Sequence, residues 1–354
     1  MKLFTVGPVE MYKDTLLLGK EPIPYFRNQF FSNIIFELDN NIKSVLCMKE
    51  NDKNIILTAS GTGAMEAVVL NCLTKGDKAL VISGGSFGER FVELCILHGI
   101  PHDILRIPFG DTLSTAMLKP FENKGYSAML VNIHETSTGQ LYPISLLSEF
   151  CTRNKMLFLV DAISSLFADP IDFSKDKIDA LIFSSQKALA LPPGVAVVSL
   201  SERMCNKVQK QKIPSMYFDF VSYLKDGERG QTPFTPAIGI ILQMNEMIKK
   251  IKEEGINKKV ERTKKLADDF RKKAREQNFP IPDYPLSNAL TPVLFNNDAE
   301  YYYNELVEKY RLVVNPCGGS LKQIMLRVGH MGNLQMEDNN LLIEALCNIR
   351  ENKG

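Results

Sequence analysis

The feature that most constrains this chain is an alternation that runs from about residue 54 to residue 200. Short apolar runs occur at Asn54–Thr58, Lys78–Ser83, Ala128–Ile133, Met156–Val160, Ala180–Ser184 and Val195–Leu200. Each has strand length and too little polarity to leave one face in water, which is the signature of a strand buried on both sides. Between several of them the apolar residues recur at helical spacing, as in Met65, Val68, Val69 and Cys72, or Phe91, Leu94, Cys95 and Leu97. Buried strands alternating with helices predict an α/β fold: a mostly parallel sheet covered by helices, with ligands bound where strand carboxyl ends lead into helices.

With 354 residues the chain is long for a single core, so a second, smaller unit is expected. The texture changes after Pro236. Ile240, Met244, Met247, Ile248 and Ile251 form one helical stripe, Gly255 interrupts it, and Ile256, Val260, Ala267, Phe270 and Ala274 form a more charged second one. Pro280, Pro282 and Pro285 mark a connection. Strand-like runs follow at Pro292–Phe295 and Gln323–Val328, with helices near Glu300–Tyr310 and Glu337–Ile349. The expected division is a large domain over 15–240 and a small α+β domain over 241–354 that takes in residues 1–14.

Net charge is +1 with both signs interspersed, which argues against a polyanionic partner; the basic stretch Lys249–Lys273 is interleaved with Glu253, Glu254, Glu261, Asp268 and Asp269 and reads as solvated helix faces. Seven cysteines without a CxxC pair indicate neither a zinc site nor a disulfide framework, so no metal is expected and a reducing cytoplasm fits. Met1–Tyr12 lacks the apolar run of a signal peptide, and no apolar stretch is long enough to span a membrane.

Three strand ends carry candidate chemistry. Leu57-Thr58-Ala59-Ser60-Gly61-Thr62-Gly63 leads a strand through a glycine-rich turn into a helix, whose free N–H groups and positive end suit a phosphate; a simple helix cap would look similar. Met156–Val160 ends in Asp161, which could face a buried cation or a metal, or cap a helix. Ala180–Ser184 runs into Ser185, Gln186 and Lys187. A lysine here either reaches out to solvent or is buried as a nucleophile toward carbonyls. Together a phosphate cup, an acid and an amine on one sheet edge match what pyridoxal phosphate requires: a site for the phosphate, a partner for the ring nitrogen and an amine for the aldehyde.

Residues 184–194, Ser-Ser-Gln-Lys-Ala-Leu-Ala-Leu-Pro-Pro-Gly, resemble the cofactor-lysine signature of class V aminotransferases, in particular the alanine–glyoxylate and serine–pyruvate enzymes and their 2-aminoethylphosphonate–pyruvate relatives. The resemblance extends from Gly7-Pro8 to Arg327-Val328-Gly329-His330-Met331-Gly332, and the step of 26 residues from Asp161 to Lys187 (187 − 161) is similar to the family's. It implies a fold-type I pyridoxal-phosphate transferase in which Lys187 carries the cofactor and serves as acid and base, with Asp161 at the pyridine nitrogen. It further implies Ser60, Gly61 and Thr62 at the phosphate, Phe87 stacked on the ring, Thr136 near the ring oxygen and Gln186 beside the lysine. Thr235 and Thr232 would reach the neighbouring subunit's phosphate, implying a homodimer. Arg327 would clamp the substrate carboxylate, for which a planar fork is suited, and Arg27 either binds a second anionic group or pairs on the surface. The implied reaction is ping-pong transfer of an amino group from alanine or serine to glyoxylate or pyruvate, with 2-aminoethylphosphonate as the alternative donor.

Two competing readings are weaker. A cysteine desulfurase would resemble this pattern with histidines over the ring and before the lysine, where this chain has Phe87 and Gln186; Cys317 reads as a small loop residue. A serine hydrolase is suggested by Gly84-Gly85-Ser86-Phe87-Gly88, followed in chain order by Asp161 and His330. That reading leaves the Lys187 region without a purpose.

Overall fold

The computed structural model describes residues 1–353. Its centre is a seven-stranded sheet of β1 (Lys53–Leu57), β2 (Ala79–Ser83), β3 (His102–Arg106), β4 (Ala128–Asn132), β5 (Leu157–Asp161), β6 (Ala180–Ser184) and β7 (Ala196–Leu200), in the order β1-β7-β6-β5-β4-β2-β3. The pairs from β6 through β3 are parallel, and β7 is antiparallel to both β6 and β1. The reversal follows from the link over 185–195, which carries no helix and so cannot make the crossover that a parallel neighbour needs.

Side chains alternate between two apolar layers. Met129 and Val131, Phe158 and Val160, and Leu181 and Phe183 enter one core, while Ala128 and Leu130, Leu157 and Leu159, and Ala180 and Ile182 enter the other. Both faces are covered by helices: α1 (Gln29–Val45), α2 (Gly61–Cys72), α3 (Ser86–His98), α4 (Ile144–Arg153) and α5 (Ile238–Glu254). Helices α1, α4 and α5 pack on the first core, and α2 and α3 on the second. The edge strand β3 pairs only with β2 and is largely half-buried, so its His102, Asp103 and Arg106 conceal it from an apolar reading.

A third core joins Leu266, Phe270 and Ala274 of α6 (Ile256–Glu276) to Val293 of β8 (Leu290–Leu294). The same core takes in Leu326 and Val328 of β10 (Met325–Gly329) and Leu342, Leu346 and Ile349 of α7 (Met336–Lys353). Strand β10 lies between β8 and β9 (Asn315–Pro316), antiparallel to each. Phe4 enters this core, and Lys2–Leu3 pairs with Leu312–Val313. The Gly329 N–H donates to the Phe4 carbonyl at 2.8 Å, and a Cβ on Gly329 would stand 2.2 Å from the Thr5 carbonyl oxygen. Gly329→Ala should therefore lower stability by about 1–3 kcal/mol, the usual range for overpacking, read as a lower denaturant midpoint. An unchanged midpoint would mean that the N-terminal segment does not lie against β10.

Candidate active site

Strands β1, β2, β4, β5 and β6 all point their carboxyl ends to one edge of the sheet, and the candidate residues follow from those ends. After β1, Ser60 caps α2: its Oγ accepts from the Gly63 N–H at 3.2 Å. Gly61 lets this helix start pack closely: a Cβ would stand 2.5 Å from Cδ1 of Ile163, the second residue after Asp161, and would push that side chain aside. The glycine thus brings the start of α2, with its unpaired N–H groups, against the end of β5.

Asp161 is fully buried at that end. One carboxylate oxygen accepts from the Ile163 N–H at 2.8 Å, the other from the Asn132 side-chain amide at 2.9 Å. Burial raises its pKa to about 6, opposed by these two bonds and by the charge of Lys187. Beside it, His134 Nδ1 lies 2.9 Å from Ser164 Oγ, which lies 2.7 Å from Thr136 Oγ1. Burial holds the His134 pKa down to about 3, so this histidine is a neutral spacer.

Lys187 follows β6 in a tightly closed loop: Ser185 donates through its N–H to the Val195 carbonyl and through its hydroxyl to the Pro192 carbonyl, and Ala190 donates to the Lys187 carbonyl. The lysine's aliphatic stem lies against Gly7, where a Cβ would be 2.5 Å from Lys187 Cδ. Burial lowers the Lys187 pKa to about 8; Asp161 opposes the shift, and Arg327 and Arg90 add to it. Gln186 is half-buried beside it.

Phe87 stands at the start of α3, held from a distant loop. Glu135 accepts from the Gly88 N–H at 2.9 Å and the Phe87 N–H at 3.3 Å, a carboxylate placed at a helix's positive end. The Arg90 guanidinium lies 4.6 Å from the centroid of the Phe87 ring and donates to Thr62 Oγ1 at 2.8 Å. Arg327, on β10, donates to the carbonyls of Thr136 at 2.9 Å and Pro316 at 2.7 Å, while its buried Nε has no partner among the described residues. Phe87 and Arg327 line a cleft of ≈ 560 Å³ together with Gly84, Gly85, Ser137 and Cys317.

Contacts thus join Ser60, Gly61, Thr62, Phe87, Thr136, Asp161 and Arg327 into one cluster, and the charges of Asp161, Arg327 and Arg90 act on Lys187. Thr232 and Thr235 make no hydrogen bond to this cluster, although the Ala237 N–H two residues on donates to Thr58 Oγ1 at 2.8 Å, just before the 60–62 turn. The Thr232 hydroxyl donates to the Phe234 carbonyl, and Thr235 is exposed. Arg27 donates to the carbonyls of Thr232 at 2.9 Å and Pro233 at 3.0 Å. Ser86, Asp161 and His330 form no hydrogen-bonded chain. Both Asp161 oxygens are engaged as described, His330 Nε2 meets Thr291 Oγ1 at 2.8 Å, and Ser86 is exposed. Asn132, His134, Glu135 and Arg90 are the site residues that sequence reasoning overlooked. Glu135 adjoins the Thr136 motif, and Arg90 follows Phe87 by one helical turn; those are the signals that could have exposed them.

These residues fit pyridoxal phosphate. A flat apolar wall, a helix start, a buried acid and a desolvated amine converge, and Ser184 Oγ and Arg327 Nε are buried polar atoms without partners among the described residues. Because burial depresses the Lys187 pKa, its neutral amine is the major form above about pH 8. The rate at which cofactor-free protein takes up pyridoxal phosphate should rise to about pH 8 and then level off. A rate still climbing toward pH 10 would show a solvated lysine.

Residues 27–280 match the family model described as aminotransferase class-V. The chain is 30% identical to the soluble hydrogenase small subunit of a Synechococcus strain, over 97% of this chain and 91% of that protein. It is 25% identical to the L-aspartate–glyoxylate aminotransferase of Paracoccus denitrificans, over 94% and 86% of the two chains. The solved structure of alanine–glyoxylate aminotransferase from Nostoc superposes with a TM-score of 0.92 at 26% identity, covering 98% of this chain and 94% of that one. On this evidence the chain belongs to the class V aminotransferases, transaminases that depend on pyridoxal phosphate.

Proposed function

We propose that this transaminase moves an amino group from a small amino acid, alanine or serine, to glyoxylate or pyruvate, with Lys187 as the residue that carries the cofactor and shuttles the proton. The observation that supports this most directly is the shared sheet edge: Asp161 ends β5, Lys187 follows the adjacent parallel strand β6, and the charge of Arg327, which walls the cleft with Phe87, reaches Lys187. When bound, pyridoxal phosphate supplies an electron sink for the substrate's α-carbon. Ser60, Gly61 and Thr62 hold the phosphate at the helix start, with Gln186 beside it. Asp161, kept ionised by Asn132 and by a cationic ring nitrogen, holds a proton on that nitrogen. Phe87 fixes the ring plane and Thr136 the ring oxygen side. Lys187, with its pKa lowered to about 8, would take the proton from the substrate α-carbon and deliver it to C4′ of the cofactor, a role that general acid–base catalysis suits best at such a pKa.

The cleft favours a small donor with one carboxylate. Arg327 is the one cation among the residues that line it, beside glycines and the hydroxyls of Ser86, Ser137, Thr138 and Ser320. Relatives named as glyoxylate aminotransferases differ in donor, L-aspartate, serine or alanine, while other relatives' names give no substrate. Thr232 and Thr235 serve the neighbouring subunit's phosphate in a homodimer, and Arg27 orders that segment through its two carbonyls. We assign 15–240 to the cofactor-binding domain and 241–354 with 1–14 to the small domain. The free thiols fit a reducing, cytoplasmic setting.

Purified protein should show a visible absorbance band that bleaches on adding L-alanine or L-serine, faster than with L-aspartate or 2-aminoethylphosphonate. Preferential bleaching by aspartate or by the phosphonate would replace the donor assignment. Lys187→Ala should lower turnover by about 10²–10⁴-fold or more, the range for losing a general acid–base group. Near-normal turnover of that variant would remove Lys187 from the mechanism.

A further inference from the structure

The cup formed by Ser60, Gly61 and Thr62 contains hydroxyls and backbone N–H groups but no charged side chain. A helix start offers about half a positive charge, which leaves a phosphate dianion largely uncompensated by these residues. The nearest candidate for the missing charge is on the next helix. Arg90, in α3, donates one N–H to Thr62 Oγ1 at 2.8 Å and rests its plane 4.6 Å from the Phe87 centroid. Residues three apart on a helix share a face, so Phe87 and Arg90 present one surface toward α2. No carboxylate pairs with Arg90 among the described residues, in contrast to Arg106 with Glu89 and Arg203 with Asp179. A guanidinium carries five N–H donors in a fixed fork, and one bond to a hydroxyl leaves the others to serve an anion. A half-buried cation is thus held at the phosphate cup by a hydroxyl and an aromatic face, without a counter-ion of its own.

We infer that Arg90 supplies the positive charge of the cofactor-phosphate subsite, with Thr62 and the Phe87 ring setting its position. This rests on the reading that Lys187 and the 60–62 turn form the cofactor site. The Arg90 charge also bears on Lys187, but that effect and ring stacking are common to pyridoxal and its phosphate, so the preference for the phosphorylated compound isolates the contribution at the phosphate.

The full-length protein, freed of cofactor, would be titrated with pyridoxal phosphate and with pyridoxal, following absorbance, for wild type, Arg90→Gln and Arg90→Lys. The preference for the phosphorylated compound should fall about tenfold or more in R90Q, as expected for losing a charge-assisted bond. In R90K, which keeps the charge without the fork, it should fall by a smaller factor. A preference unchanged in R90Q, or equal weakening for both compounds, would overturn the assignment and leave Arg90 as a packing residue of Phe87. Should R90Q fail to fold, Arg90→Met, which removes the charge and keeps much of the side chain's length, decides on the same terms: its preference for the phosphorylated compound drops or the assignment fails. Borohydride reduction of the wild-type complex and peptide mapping provide the separate control. A label on a lysine other than Lys187 overturns the underlying site reading, and the Arg90 assignment with it. A label on Lys187 with unchanged R90Q preference overturns the Arg90 assignment alone.

Discussion

Placing an acid and an amine at the edge of an apolar sheet is the constraint around which this molecule is organised. Charged groups are costly in such surroundings unless they are bonded or paired. Asp161 meets that cost with two hydrogen bonds, from the Ile163 N–H and the Asn132 amide. Lys187 has a different solution: its stem packs on Gly7 and its loop is closed by backbone bonds, so the amine is held in place although the charge of Asp161 offsets only part of the effect of burial. The two groups move toward each other in pKa, the acid to about 6 and the amine to about 8, because the same burial disfavours both charges. That convergence lets one site hold and release protons near neutral pH.

The surrounding polar residues divide into those that set charge and those that set shape. His134 is neutral and is linked to Thr136 through the Ser164 hydroxyl, so it fixes positions without competing for the proton. Glu135 joins the 134–139 loop to the start of α3 by accepting from the Phe87 and Gly88 N–H groups. Arg327 ties the small sheet to the same loop through the Thr136 carbonyl. The cleft is therefore bounded by side chains and loops from the central sheet's edge and from β10, and its form depends on contacts between them.

Much of the fold was legible in the sequence because both faces of the central sheet are buried. Strands such as Leu157–Asp161 and Ala180–Ser184 are consequently uniform apolar runs. Strand β3 escaped because it lies on an edge and carries charge. Helix α1 escaped because Asn33, Asn40 and Asn41 are poor helix formers; the stripe of Phe31, Ile35, Leu38 and Ile42 packed on the sheet outweighs that preference. The antiparallel course of β7 was not foreseen, although the lack of a helix between 185 and 195 required it. Within the site, Lys187 and Asp161 were readable because each ends a strand. Asn132, Glu135 and Arg90 were not, because each acts by meeting a loop or helix that only the folded sheet brings near.

The contact between Gly7 and Lys187 gives the first residues of the chain an unexpected status. The same short segment pairs with Leu312–Val313, receives the Gly329 N–H at Phe4 and then passes behind the lysine stem. A side chain at position 7 would collide with that stem. The segment thus lies against the candidate cofactor lysine and at the same time pairs as a strand with Leu312–Val313. Any residue larger than glycine at position 7 is therefore felt at the Lys187 stem, although the contact is made by the backbone of a segment whose first residue, Met1, is exposed.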